Sequence, residues 1–193
     1  MCTIPVFYAT THGQTRRIAE AIADALRKDG HASFTLDVTS EAGRHSDWRR
    51  VDGVVLAASL HAGRHQASAA AFAREHLARL NGRPSWFVSV SLSAASAHVE
   101  ERAAAERLAH AFVEGIAWAP GRVSCVAGRL AYTQYSFLTR WFMRRIARKE
   151  GGPTDTSRDH DLTDWNELAF LSQQFGREVW EGVEVRDARQ AAR

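Results

Sequence analysis

Cysteine is scarce in this chain. There are two in 193 residues, Cys2 at the start of the first apolar run and Cys125 in the last strand-like run. In the sheet order derived below two strands separate them, about 14 Å, beyond the reach of a disulfide. They read as isolated thiols rather than a redox pair. No apolar run is long enough to cross a bilayer. The chain enters a strand at once without a secretory leader, so the expected compartment is the cytoplasm. Proline is limited to four residues, and no Pro- or Ser-rich linker or internal repeat divides the chain. A single domain over 1–181 is expected, with a charged tail over 182–193 that frays. Gly-x-Gly-x-x-Gly is missing, as is Lys-Ser/Thr after a glycine loop, which excludes a dinucleotide fingerprint and a nucleoside-triphosphate P-loop. Nucleic-acid motifs are also missing. No His/Asp or Cys/His catalytic set stands out, which places the chemistry on a cofactor.

What the chain does have is basic charge and alternating strands and helices. The formal net charge is +3 and the pI about 9.2, favouring an acidic substrate or an anionic membrane surface. The runs Ile4–Ala9, Ser33–Val38, Asp52–Ala58, Ser85–Val90 and Arg122–Ala127 read as strands. Asp52–Ala58 is continuously apolar, as expected of a central parallel strand covered on both faces. Helices are predicted after Gly13, over about 66–80, over about 98–116, and from Asp164 to about Trp180. In the last of these Asp164 and Glu167 form a capping-box-like pair, and Leu168, Leu171, Phe175 and Val179 face inward. His76 falls on the apolar stripe of the second of these helices and is expected to be a packed, hydrogen-bonded side chain. Such alternation implies a parallel sheet with right-handed crossovers. Pro5 cannot donate to a ladder, so either a bulge occurs there or pairing begins after it.

The first strand runs into Thr10-Thr11-His12-Gly13-Gln14-Thr15 and then a helix with Ile18, Ile22, Ala25 and Leu26 on one face. A loop at a strand's carboxyl end that opens a helix is an anion site. Its N–H groups are unpaired, the helix dipole adds positive charge, hydroxyls can donate, and glycine allows close approach. An ordinary turn with incidental threonines would share the same letters. The segment resembles the flavin mononucleotide (FMN) phosphate loop of flavodoxins, with His12 where many of them have Thr or Ser. That resemblance implies an α/β flavodoxin-like, doubly wound, five-stranded parallel sheet in the order 2-1-3-4-5, with the ligand at the switch point between strands 1 and 3. It also places the isoalloxazine ring between the loops Ser59-Leu60-His61-Ala62-Gly63 and Ser91-Leu92-Ser93-Ala94. Gly63 is suited to a backbone that reorients near the flavin, and Ala62 stands where an aromatic is frequent. His61 and His65 are four apart, but no carboxylate or cysteine near them completes a metal site, and none is expected.

Between strand 5 and the last helix lies an insertion, 129–160, that a minimal flavodoxin lacks. Several short pieces, in order, are similar to the menaquinone-dependent protoporphyrinogen oxidase family: Gly13-Gln14-Thr15, Ala58-Ser59, Arg79-Leu80-Asn81, Ser89-Val90, Ala127-Gly128 with Leu130 and Tyr132, Gly151-Gly152 with Thr154-Asp155-Thr156, and Thr163-Asp164-Trp165. The resemblance implies FMN-dependent oxidation of protoporphyrinogen IX to protoporphyrin IX in haem synthesis, with menaquinone or ubiquinone as acceptor. A flavodoxin-type electron carrier or a general quinone reductase is the alternative. Carriers of this fold are typically acidic, whereas this chain is basic. In the insertion Phe137, Leu138, Trp141, Phe142 and Ile146 can form an apolar face, with Arg140, Arg144, Arg145, Arg148 and Lys149 around the rest. That pattern suits an anionic membrane boundary or the propionates of a porphyrinogen. It equally suits a surface helix with its basic face in water.

Overall fold

The computed structural model describes residues 1–134, 141, 145, 147–148 and 152–191. The strands are β1 (Val6–Ala9), β2 (Thr35–Asp37), β3 (Val54–His61), β4 (Arg64–His65), β5 (Ser85–Ser91), β6 (Arg122–Ala127), β7 (Arg129–Leu130) and β8 (His160–Asp161). The helices are α1 (Gln14–Lys28), α2 (Glu41–Arg44), α3 (Ala67–Glu75), α4 (Leu77–Asn81), α5 (Val99–Glu114) and α6 (Trp165–Ala191). Parallel pairing sets the order β2-β1-β3-β5-β6, which is the expected 2-1-3-4-5. Two pieces join it: β4 folds back antiparallel on β3, and β7 and β8 make a separate two-stranded ribbon.

Alternation along the strands builds two cores. Val55, Ala57, Trp86 and Val88 face α1 and α6, packing on Ile18, Ile22, Leu26, Phe175 and Val179. Phe7, Leu56, Ala58 and Phe87 face the other way, onto Phe72, Trp48, Val113 and Trp118. Central strands buried on both faces explain the unbroken apolar run in β3. Trp86 and Trp118 keep their indole N–H groups satisfied by donating to Ser124 Oγ (3.1 Å) and Ser85 Oγ (3.0 Å). Pro5 precedes the β1–β3 ladder: its carbonyl accepts from Val55 N–H, while Ile4 and Val6 donate toward the β2 side. Pairing therefore runs through Pro5 without a bulge, since Thr3 already bridges Ala32 in the same register and Pro5 contributes its carbonyl alone.

The structure differs from the sequence pattern in three places. The helix expected over 66–80 breaks at His76, whose carbonyl accepts from both Arg79 and Leu80 N–H as a new turn starts. Tertiary packing accounts for the break: the His76 ring sits 5.0 Å from Trp48 and 4.6 Å from Phe72. His76 is packed as expected, but its Nε2 is buried without a hydrogen-bond partner among the described residues. The polar stretch before β3 contains α2, whose first turn is capped by Ser40 Oγ accepting from Gly43 N–H. Finally, the tail expected to fray is helical to Ala191. Val183 packs on the core and Arg186 pairs with Asp52 at 3.2 Å, which carries α6 past Trp180. At its other end the Asp164 carboxylate accepts from Asn166 and Glu167 N–H, as the capping pattern predicts. Both cysteines are free.

Candidate functional site

The loops after β1, β3, β5 and β6 gather at the carboxyl ends of the strands. The first turns at Gly13, which occupies the left-handed region at φ +81° and serves as N-cap of α1. No side chain caps that helix start. The first-turn N–H groups of Gln14, Thr15 and Arg16 thus point out of the helix without an intrahelical acceptor. Thr10 Oγ1 accepts from Gly13 N–H at 3.0 Å and draws the loop into a closed turn. Thr15 is buried, while Thr11 and His12 are exposed at the rim. This donor set matches an anionic monoester.

β3 runs on through Ser59 and Leu60 to His61 and reverses in a two-residue turn at Ala62 and Gly63, with φ +48° and +74°. Two successive positive φ values make a type I′ hairpin, the connection whose twist matches the strands. Sequence reading treats this stretch as an open loop. The hairpin appears because Leu60 pairs with His65 and His61 with Arg64. His65 fastens it to the sheet. Its Nε2 lies 2.9 Å from Ser89 Oγ, and its ring packs 4.7 Å from Phe112 and 5.2 Å from Phe87. Burial pushes His65 down to about 4. His61 points elsewhere, meeting His12 edge-on at 5.6 Å. Loss of hydration, then the neighbouring His12, holds His61 below the ordinary histidine range. The two histidines of the expected four-residue spacing therefore have separate partners, and among the described residues no His/Cys/Asp/Glu cluster could hold a metal.

In the third loop Ser91 Oγ accepts from Ala94 N–H, opening a single 3₁₀ turn over Ser93–Ala95. Leu92 packs against Leu130 and Tyr132 of the insertion. The insertion and the segment directly after it are in turn pinned to the first loop. Gln14 Nε2 donates to Asp161 Oδ1 and Thr163 Oγ1, both at 3.0 Å, and Arg17 pairs with Asp161 at 3.3 Å. Arg129 Nη2 reaches the His12 carbonyl at 3.4 Å, its Nη1 pairs with Asp159 at 3.3 Å, and its Nε is buried without a partner. Burial raises the Asp159 carboxyl, but donation from Thr133 and the Arg129 charge outweigh it and leave the group below its usual range.

Most of the expected site residues thus meet at one end of the sheet. Thr11 and Ser59 are joined by Gln66, whose Nε2 donates to Thr11 Oγ1 at 2.6 Å and to Ser59 Oγ at 2.9 Å. Gln14 lies in the loop as expected, but its carboxamide is committed to β8 and Thr163, leaving its backbone N–H for a ligand. Arg140 and Arg144 lie outside the described residues. Arg145 and Arg148 are exposed and helical, as is Trp141 at 58%. Trp141, expected on an apolar face apart from the arginines, is thus exposed as they are. Ala147 is buried against Leu130 and Tyr132. Sequence reading missed Gln66, Arg129, Asp161 and the His65–Ser89 contact. Only the position of Gln66, just before a helix at the end of the ring loop, was a signal.

A flavodoxin domain matches residues 5–157. A protein of Escherichia coli K12 named protoporphyrinogen IX dehydrogenase [quinone] is 31% identical over 174 residues, covering 90% of this chain and 92% of its own. The chain belongs to that family of flavodoxin-like proteins. A relative of the same name in Leishmania major is 28% identical over 170 residues, 88% of this chain and 73% of that one. Among solved structures, Flavodoxin 2 of Bacillus cereus superposes with a TM-score of 0.55 at 14% identity, covering 92% of this chain and 99% of that one. A flavodoxin, WrbA-like protein from Agrobacterium tumefaciens does so with a TM-score of 0.55 at 11% identity, covering 94% and 99%. At those identities the structures establish the shared fold. The ribbon β7–β8 is therefore carried on a flavodoxin-like sheet.

Proposed function

We propose that this chain is an FMN-dependent dehydrogenase that oxidises protoporphyrinogen IX to protoporphyrin IX and passes the electrons to menaquinone or ubiquinone, as the names of its relatives suggest. The observation that carries the reading is the docking of the insertion and of the segment directly after it onto the loops at the carboxyl ends of the strands, through Arg129 to His12, Leu92 to Leu130 and Tyr132, and Gln14 to Asp161 and Thr163. A simple electron carrier needs no such addition.

The residues present fit FMN. Thr10, Thr11, His12, Gly13, Gln14 and Thr15 would hold its phosphate, with N–H groups of the first turn of α1 as the main donors and Arg129 adding positive charge behind the loop. Ser59 to Gly63 and Ser91 to Ala94 would hold the ring, largely through backbone groups. The flavin supplies the two-electron redox chemistry when bound. This chain's part is to bind, orient and shield. Gln66 keeps the phosphate loop and the end of β3 in fixed relation. The His65 anchor holds the Ala62–Gly63 turn at one position, which matters because small misplacements of a reacting group are costly in rate. The outward arginines Arg145 and Arg148, with Arg140 and Arg144 of the same segment, would attract propionate carboxylates and an anionic membrane surface on which the quinone is reached. No helix among the described residues is long and apolar enough to cross a membrane. Peripheral contact from the cytoplasmic side is the arrangement this reading requires.

The test begins with the purified protein. Heat-released flavin should co-migrate with FMN, and anaerobic protoporphyrinogen IX should give fluorescent protoporphyrin only when a quinone is added. Thr15→Glu should fold, by circular dichroism, and lose its flavin, because Thr15 is 1% exposed within the loop and a carboxylate there repels phosphate. A folded Thr15→Glu variant with full flavin content would move the cofactor site elsewhere.

A further inference from the structure

At the opposite end of the sheet, before the amino ends of β3 and β5, a second polar cluster surrounds Trp48. The indole is buried, stacked on Phe7 at 5.4 Å. Two guanidinium groups lie against it, Arg79 at 5.6 Å and Arg83 at 5.2 Å from the ring centroid. Three buried nitrogens around this one ring have no hydrogen-bond partner among the described residues: Trp48 Nε1, His76 Nε2 and Arg83 Nη1. Buried polar groups are nearly always paired, so three orphans in one cluster call for a common explanation. His76, 6% exposed, also lines an open cleft of about 420 Å³ together with Arg44, His45 and Arg79.

Charge points the same way. Glu75 is the one carboxylate on the wall of that cleft. Arg79 and Arg83 make no ion pair among the described residues, and Arg44 is engaged only with the Thr39 carbonyl, at 2.7 Å. The nearby Asp52 is taken by Arg186. Burial, then repulsion from Arg79 and Arg186, holds the Arg83 guanidinium below its usual range. Asp52 acts in the opposite direction but does not offset them. Tryptophan N–H is a donor only, guanidinium is donor only, and neutral histidine offers Nε2–H in one tautomer. A set of donors without acceptors, under a positive potential, is the chemistry of an oxyanion site.

We propose that the Trp48–His76–Arg79–Arg83 cluster, with its cleft, binds a small soluble oxyanion, a phosphate or carboxylate group, at a site separate from the flavin loops. The bound group would take a hydrogen bond from His76 Nε2 and neutralise Arg79, both on the cleft wall, and would be felt by Trp48 through its packing on these two side chains. Since the cluster caps the break between α3 and α4, occupancy would stiffen that corner of the sheet.

The test uses the full chain saturated with FMN, so that the phosphate loop is already filled. Inorganic phosphate is titrated against a sodium chloride control of equal ionic strength, and the indole N–H resonances are followed by ¹H–¹⁵N correlation. The Trp48 signal, identified by its loss in Trp48→Phe or by its proximity to Arg83 in a ¹⁵N-edited spectrum, should shift saturably with phosphate and not with chloride. In Arg79→Gln, an exposed change that leaves the core intact, the apparent affinity should fall at least tenfold with flavin content unchanged. The thermal midpoint of the wild type should rise with phosphate, and that of the variant should rise less. An indole that ignores phosphate, an identical response to chloride, or an unaltered titration in Arg79→Gln would each overturn the proposal and leave the three nitrogens to buried water.

Discussion

Lowering the pH should loosen the Ala62–Gly63 hairpin through a single side chain, His65. In the folded protein its ring is held between Phe87, Phe112 and Ser89, and burial takes its pKa from 6.5 to about 4. The unfolded chain keeps the ordinary value near 6.5. Between those values the unfolded state binds a proton that the folded state refuses, so stability is full above about 6.5 and falls as the pH drops toward 4. Linkage over the step from pH 8 to pH 5 gives a loss of about 2 kcal/mol, or about 1–2 kcal/mol once partial exposure of the ring is allowed for. His31, His61 and His76 are shifted in the same direction, each first by burial, so the wild-type curve alone does not isolate His65. His65→Gln does, since glutamine reaches toward Ser89 and does not titrate. Urea unfolding at pH 8 and pH 5, both at saturating flavin, should show the variant less stable overall, from lost ring packing, but with a pH dependence smaller by about 1–2 kcal/mol. Parallel pH curves for the two proteins would refute the assignment of this anchor.

Two further outcomes follow from the same end of the molecule. Ala62 carries φ +48°, a left-handed conformation that costs a residue with a Cβ about 1–2 kcal/mol; Ala62→Gly should raise the urea midpoint by the equivalent of about 0.5 kcal/mol after the larger unfolded-state entropy of glycine is subtracted. Arg145→Glu with Arg148→Glu, both exposed as Trp141 is, should weaken partition onto anionic vesicles by about 30-fold or more at low salt while flavin content stays constant. Unchanged co-sedimentation in that double variant would remove the membrane from the proposed function.

The chain by itself determined the succession of strands and helices, the parallel sheet and the glycine loop that turns from β1 into α1, while the order of the strands followed from the resemblance to flavodoxins. Those features are local: an apolar run of strand length, a helical stripe, a glycine turn at a strand's carboxyl end and an aspartate cap are each written within a few adjacent residues. The five parallel strands match the sequence runs closely, and Arg122–Ala127 matches at both ends. Tertiary structure alone decided the rest, because it depends on partners far away in the chain. Gln14 turns its carboxamide to residues 147 and 149 positions on. Gln66 links two loops that no spacing connects. His65 and Ser89 meet only when β3 and β5 lie side by side. The break at His76 comes from Trp48, whose burial beside Arg79 and Arg83 no periodicity announces. A pattern of 2.0 or 3.6 residues tells which face of an element is buried. What that face meets is settled by the packing of the whole sheet, in which each neighbour is fixed by the others.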